Sequence, residues 1–195
     1  MTVKLIAYTH GVEGATPEEL LASAFSKCYQ RPPNIDAVLR NLNHESVLEH
    51  ISFTLDIEVS RVTWEQIVRH RLASYTAQSH RYTEPSAEDV DFYIPSEVPD
   101  EFIDEWSTDA FLSYQVYKKW RARGITKQTA RYLLPKGVSI KATVTMNLRS
   151  LLNFLKLRLD PKAQEEVRLF AEEVWQEVRP LFPRLEEALE GKFRK

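Results

Sequence analysis

The sequence predicts an α+β fold: an antiparallel or mixed sheet with packed helices, a single domain per subunit over residues 1–195, and no Rossmann motif. Three observations carry this. Phe53, Leu55, Ile57 and Val59 alternate with Thr54, Asp56, Glu58 and Ser60, and Val138, Ile140, Ala142, Val144 and Met146 alternate with Ser139, Lys141, Thr143 and Thr145. Strict alternation marks strands with one buried face, whereas fully buried parallel strands read as continuous apolar runs. Elsewhere apolar residues recur every three or four positions, the period of helices packed on one side. The five glycines, Gly11, Gly14, Gly124, Gly137 and Gly191, make neither GxGxxG nor a P-loop, so any bound nucleotide must have its phosphates held another way.

The elements follow in order. Residues 3–8 read as a short strand. Thr16-Pro17-Glu18-Glu19 reads as a helix start, with a Thr cap, Pro in the first turn and acids at the positive end of the dipole, and the helix should reach about Cys28. After the strand at 53–59, Thr63-Trp64-Glu65-Gln66 reads as a capping box opening a short helix to about Arg71. Pro85, Pro95 and Pro99 bracket an irregular acidic connection. Ile103, Trp106, Ala110, Tyr114 and Tyr117 predict a long helix near 100–122. A helix from about Thr126 to Leu133 is stopped by Pro135. After the strand at 138–146, Leu148, Leu151, Leu152 and Leu155 mark another helix. Asp160-Pro161 caps the next, with Val167, Phe170, Ala171, Val174, Trp175 and Val178 on its buried face. No repeat, low-complexity stretch or domain boundary is legible.

Composition narrows the class. Hydrophobic residues make up 43% and charged residues 28%, values of a soluble globular protein. No run approaches the roughly 18 apolar residues of a membrane span, and Met1–Tyr8 is too short and polar for a signal peptide. Cys28 is the only cysteine, which excludes an internal disulfide, a cysteine-rich zinc site and a protein-held iron–sulfur cluster. A reducing, cytoplasmic setting is expected.

The net charge of −2 hides a segregation. Residues 84–109 carry ten acids and no base, residues 111–159 eleven Lys or Arg and no acid, and residues 66–83 again no acid. Such runs are ordinarily solvated faces that balance in space; here they also suit a basic pocket whose guanidinium forks grip phosphate. A pI near 6.2 argues against bulk nucleic-acid binding and for a small phosphorylated ligand.

Three stretches concentrate the chemistry. In the first, Gln66, Arg69 and His70 are spaced to share a helix face, and a following loop brings Ser79 and Arg81. Intersubunit ion pairs are the competing use of these arginines. In the second, leucines take one face of the helix after Asn147, and Arg149, Asn153 and Lys156 the other. Alone this reads as an amphipathic helix with a wet face, but Asn and Arg also match the edges of a base or flavin. The third is His44-Glu45-Ser46-Val47-Leu48-Glu49-His50. Its histidines are six apart, the wrong spacing for HExxH, and a helix-end histidine making hydrogen bonds fits better than a metal ligand. Neither Cys28 nor Ser79 has the partner of an activated nucleophile.

Arg69-His70-Arg71, seven residues, Ser79, one residue, Arg81 resembles the signature of the flavin-dependent thymidylate synthases. The His44–His50 segment, Ala130-Arg131-Tyr132-Leu133-Leu134-Pro135 and Asn147–Arg158 are similar to further blocks of that family, in order and over most of the chain. The resemblance implies a methyltransferase that makes dTMP from dUMP with 5,10-methylenetetrahydrofolate as one-carbon donor and NADPH as reductant. It implies tightly bound FAD, and homotetramers whose active sites are assembled from several subunits. It assigns Ser46, Arg69, His70, Arg71, Asn147, Leu148, Arg149 and Asn153 to FAD. It assigns Gln66, Arg69, Gln78, Ser79, Arg81, Arg131 and Arg158 to dUMP. Arg158 would sit at the uracil edge and favour its N3-ionised form, and His44 would lie near the flavin and help place substrate or folate. No enzyme nucleophile and no metal are required. Many members carry Gln or Glu two residues before the motif serine; this chain has Ala77, leaving the backbone or Gln78 for that contact. Two other classes stay open: a non-catalytic nucleotide- or RNA-binding module using the basic stretches, and a metal-dependent phosphohydrolase using His44, Glu45, Glu49 and His50.

Overall fold

The computed structural model describes residues 1–85 and 92–194. Four strands, β1 (Thr2–Tyr8), β2 (Ser52–Ser60), β3 (Ser74–Ala77) and β4 (Ser139–Asn147), form an antiparallel sheet in the order β1-β2-β4-β3. The helices in chain order are α1 (Pro17–Tyr29), α2 (Ile35–Arg40), α3 (Arg61–Ile67), α4 (Ile103–Ala122), α5 (Lys127–Ala130), α6 (Leu148–Arg158), α7 (Glu165–Val178) and α8 (Glu186–Glu190). The two nine-residue strands with strict alternation are the central ones. Phe53, Leu55, Ile57 and Val59 of β2 and Ile140, Ala142, Val144 and Met146 of β4 are all buried. β3 has four residues, too few for a period to show.

The chain forms two compact units. One comprises residues 1–2, 58–69 and 76–142, the other residues 3–57, 70–75 and 143–195. Each is assembled from non-contiguous stretches, so no linker composition marks where one gives way to the other.

In the larger unit α1 begins as the sequence expects. Thr16 Oγ1 accepts from Glu19 N at 3.3 Å and Glu19 Oε2 from Thr16 N at 2.8 Å, a complete capping box that contributes about 1 kcal/mol. Asn34 Oδ1 caps α2 by accepting from Asp36 N and Ala37 N. The segment Glu45–His50 is a 3-10 helix. β4 passes directly into α6, where Asn147 Oδ1 accepts from Ser150 N at 2.9 Å. Leu148, Leu151, Leu152 and Leu155 of α6 and all six expected residues of α7 are buried. Asp160 does not cap α7, however. Its Oδ1 accepts from Lys162 N in a turn of its own, and α7 starts after Gln164. A short Asp side chain satisfies the nearest N–H first. The C-terminal stretch closes this core with Phe182, Leu185, Leu189 and Phe193. Buried Glu18 accepts from Arg184 N at 2.8 Å and Leu185 N at 2.9 Å.

In the smaller unit α3 departs from the sequence reading. Its cap is Ser60, whose Oγ accepts from Thr63 N at 3.1 Å, and Thr63 is buried inside the helix. Ser60 ends β2 in extended geometry and is itself a preferred cap, so the helix starts before Thr63. It stops at Ile67. The closing bond, Arg69 N to Gln66 O at 3.3 Å, is of the tight i→i+3 kind. Arg69 and His70 therefore lie beyond α3 and share no helix face with Gln66. The long helix is present as α4, preceded by a 3-10 turn at Asp100–Phe102. Tyr114 and Tyr117 form its buried side, whereas Trp106 is 47% exposed. Tyr114 Oη donates to Pro85 O at 2.8 Å. The expected helix from Thr126 to Leu133 is split into α5, capped by Thr126, and a 3-10 turn at Arg131–Leu133. Of the acidic connection between Pro85 and Pro95, residues 86–91 lie outside the described residues. Phe92 makes an antiparallel bridge to Val138.

Candidate active site

In the larger unit the histidine of Arg69-His70-Arg71 is fixed from a distance. His70 is 9% exposed, with Nε2 2.7 Å from Ser150 Oγ. Ser150 Oγ donates its one hydrogen to Leu72 O at 2.5 Å, so Nε2 must carry the hydrogen it gives to Ser150. The Phe154 ring meets the imidazole edge-on at 5.4 Å, and Tyr75 Oη donates to His70 O at 2.6 Å. Residues 70–75 are thus tied to α6 and to themselves, while Arg71 is exposed.

The electrostatics agree with a neutral ring. Burial, then the Arg158 cation, push His70 below the usual histidine range, against the Ser150 hydrogen bond. Burial lifts Tyr75 to about 12, with Arg158 pulling the other way. Because His70 titrates lower in the fold than in the unfolded chain, the unfolded state binds its proton more readily. The stability this gives is complete above about pH 6.5 and is lost as pH falls through the folded-state value. Urea midpoints should therefore fall between about pH 7.5 and about pH 5.5, and fall less in His70→Gln. Equal falls in both proteins would refute the assignment.

On α6, Arg149, Asn153 and Lys156 take the exposed face, as expected. They line a cavity of about 270 Å³ together with Asn43, Glu45 and Lys192. Arg149 is anchored there, with Nε 3.3 Å from Glu45 and Nη1 2.5 Å from Glu49. Glu45 also receives Lys192 Nζ at 2.9 Å, which with the Lys192 and Arg149 charges outweighs desolvation and lowers its pKa. Leu148 is buried, and its N–H donates to Ile51 O at 2.8 Å. Ser46 is exposed. His44 departs from the reading of a hydrogen-bonding helix end. It precedes the 3-10 helix without capping it, its buried Nδ1 has no hydrogen-bond partner among the described residues, and its ring packs on Phe25 at 5.9 Å and Tyr29 at 6.1 Å. Glu45 and Glu49 are engaged with Arg149, and among the described residues no three His, Cys, Asp or Glu are grouped to hold a metal ion.

The smaller unit holds the rest of the signature. Gln66 sits in the last turn of α3, and Arg69 follows it, exposed. After β3, half-buried Gln78 donates its N–H to Lys141 O at 2.8 Å, and Ala77 ends the strand. Ser79 organises the next turn: its carbonyl accepts from Tyr82 N and Thr83 N, and its Oγ from Arg81 N at 3.3 Å. Arg81 lies over the Tyr82 ring at 5.2 Å. His80, 3% exposed, is pushed down by burial and by the Arg61 and Arg131 cations. With Arg131, Arg61 and Lys136 it lines a cavity of about 450 Å³. The acid there, Glu65, is already bound to Lys136 at 2.8 Å and Arg61 at 3.4 Å.

The arginines sort by partner. Arg149 is paired with carboxylates, whereas Arg69, Arg71, Arg81 and Arg131 form no ion pair among the described residues. Guanidinium groups that meet no carboxylate among the described residues fit phosphate-bearing ligands such as a dinucleotide cofactor and a nucleotide substrate. Sequence reasoning missed Ser150, Tyr75, His80 and Lys192. Ser150 looked like one more first-turn residue of a helix, and nothing local ties it to a histidine 80 positions earlier.

The fold defines a class. A crystal structure of thymidylate synthase X (ThyX) from Helicobacter pylori with FAD and dUMP aligns over 100% of both chains, with a TM-score of 0.79 at 20% identity. A second H. pylori ThyX structure, also with FAD and dUMP, gives 0.75 at 23% identity. The sequence places the chain within that class: residues 4–184 match the family described as thymidylate synthase complementing protein, and the chain belongs to this family. Relatives named flavin-dependent thymidylate synthase include those of Pyrococcus horikoshii, 40% identical over 90% of this chain and 78% of that protein, and Pyrococcus abyssi, 44% identical over 69% of this chain and 57% of that protein. The Sulfurisphaera tokodaii protein is 42% identical over 77% of this chain and 58% of its own length. The chain thus spans little more than half the length of several relatives it matches.

Proposed function

We propose that this chain is a flavin-dependent thymidylate synthase, forming dTMP from dUMP with 5,10-methylenetetrahydrofolate as one-carbon donor and NADPH as reductant. The observation that carries the reading is the set of arginines that form no ion pair among the described residues, Arg69, Arg71, Arg81 and Arg131, in a chain of this family. FAD, when bound, supplies hydride transfer; the protein binds and orients. In the larger unit, Ser46, His70, Arg71, Asn147, Arg149 and Asn153 hold the cofactor, with Leu148 anchoring the start of α6. Neutral His70, locked by Ser150, gives that stretch one fixed form. In the smaller unit, Gln66, Arg69, Gln78, Ser79, Arg81 and Arg131 hold dUMP, and Arg69 also reaches FAD. Arg158 stabilises negative charge on the uracil ring, and His44 helps place the incoming substrates. A homotetramer with sites shared between subunits is part of the reading, so residues of one chain need not meet within it. A cytoplasmic setting is supported by the single free cysteine, Cys28; among the described residues no helix is long and apolar enough to cross a membrane.

The test is direct. The desalted protein, after incubation with FAD, should keep a flavin spectrum at near one FAD per chain and should oxidise NADPH only when dUMP is present. A folded protein that keeps no flavin overturns the proposal.

A further inference from the structure

The cavity of about 450 Å³ in the smaller unit is lined by more than the one residue assigned to substrate, Arg131. Arg61 and Glu65 reach it from α3, Lys136 from the turn before β4, and His80 from the turn after β3. Tyr132 adds a phenol beside Arg131. Glu65 is engaged by Lys136 at 2.8 Å and by Arg61 at 3.4 Å. Arg131 forms no ion pair among the described residues. On the turn of His80 itself, Arg81 lies over the Tyr82 ring. The cavity therefore holds three cations against one acid.

His80 is the unusual group in this wall. It is 3% exposed, and no hydrogen bond among the described residues holds its ring. Buried polar groups ordinarily have a partner, and His70 in the larger unit has one in Ser150. Burial, then the Arg61 and Arg131 charges, push the His80 pKa down, which leaves the ring neutral at about pH 7. A phosphate monoester reverses the second of these causes. It brings up to about two negative charges to the cations. Its oxygens also accept a charge-assisted hydrogen bond from an imidazolium.

We propose that His80 is a further phosphate-binding group of the substrate site, which takes one proton from solvent as the 5′-phosphate of dUMP enters this cavity and donates it in a hydrogen bond to a phosphate oxygen. The assignment rests on the reading of Arg131 as a dUMP ligand. One N–H bond is made, the buffer supplies the proton, and every bond of the ligand is kept. The sign in pH follows. Binding raises the affinity of the ring for a proton, so dUMP binds more tightly as pH falls through the bound-state value. The gain ends where the free ring is protonated too, or where the phosphate loses its second charge near about pH 6.

The test is titration calorimetry of the protein, incubated with FAD and desalted, against dUMP at about pH 7 in buffers of different ionisation enthalpy. The slope of observed heat against that enthalpy counts protons exchanged, and comparison with a variant cancels any proton the ligand itself gives up. His80→Gln and His80→Asn should each take up fewer protons per dUMP than the parent, by about half a proton or more, and should raise Kd about tenfold. Equal slopes in the parent and a folded variant would overturn the proposal. A second measurement needs no variant: with isotope-labelled histidine, nitrogen NMR of the parent should show one more imidazolium once dUMP is added, and an unchanged spectrum refutes the assignment. Flavin retention is measured on the same samples. Flavin kept and dUMP bound with equal slopes removes His80 and leaves the synthase reading. Proton uptake through His80 without retained flavin removes the synthase reading and leaves His80. A protein that binds no dUMP overturns both.

Discussion

Arg158→Ala should retain FAD and lose two or more orders of magnitude of turnover with dUMP. Arg158 ends α6, half-buried, with its guanidinium 6.0 Å from the centre of the Phe154 ring. Its charge is felt by both His70 and Tyr75, so it sits in surroundings that screen it poorly. A cation held in place before the reaction begins stabilises developing negative charge without reorganising, and removal of one such donor typically costs about 10²–10³ in rate. The cofactor is assigned to other side chains, so the flavin spectrum should be unchanged. Arg158→Lys keeps the charge but not the planar fork, and should recover only part of the rate. NADPH oxidation at saturating dUMP measures the effect. Turnover in the alanine variant equal to that of the parent would remove Arg158 from the mechanism.

The largest effect on stability should come from Trp175→Ala. Trp175 is fully buried on α7, its Nε1 donates to Glu190 Oε1 at 2.5 Å, and its ring meets Phe193 edge-on at 5.1 Å. Truncation opens a large cavity and removes a hydrogen bond to a carboxylate, a loss of about 3–5 kcal/mol. For a chain of this size that is a fall of roughly 6–20 °C in Tm. Trp175→Phe keeps most of the volume and should recover more than half of it. Differential scanning calorimetry of the three proteins decides. A fall of under about 3 °C in the alanine variant would mean that the C-terminal stretch does not depend on this ring.

The long periodic elements were legible in the sequence for a physical reason: burial on one face imposes the pattern. β2, β4, α1, α4, α6 and α7 all lie within a few residues of where alternation or three-and-four spacing puts them. What misled was competition among short polar side chains. Ser60 outcompeted Thr63 as a cap, and Asp160 closed its own turn instead of starting α7. Both choices depend on which N–H is nearer once the backbone is set. The site divided the same way. Residue types were readable, because arginines without local acids mark an anion site, but their pairing was not. Nothing around Arg149 announced Glu45 and Glu49, a hundred residues away. His44 fits neither of the roles its neighbours suggested; its surroundings are two aromatic rings contributed by α1.

The hold of Ser150 on His70 and Leu72 has a consequence for how the chain is made. The stretch His70–Tyr75 leaves the ribosome about 80 residues before the side chain that fixes it, an interval of roughly 4–16 s at ordinary elongation rates. For that time the nascent chain displays Arg71 on an unfastened segment. The stretch His70–Leu72 acquires its working form only when α6 has emerged and folded behind it, so a transcript truncated before residue 150 would encode every residue from Arg69 to Arg81 and still leave His70 and Leu72 without the side chain that holds them.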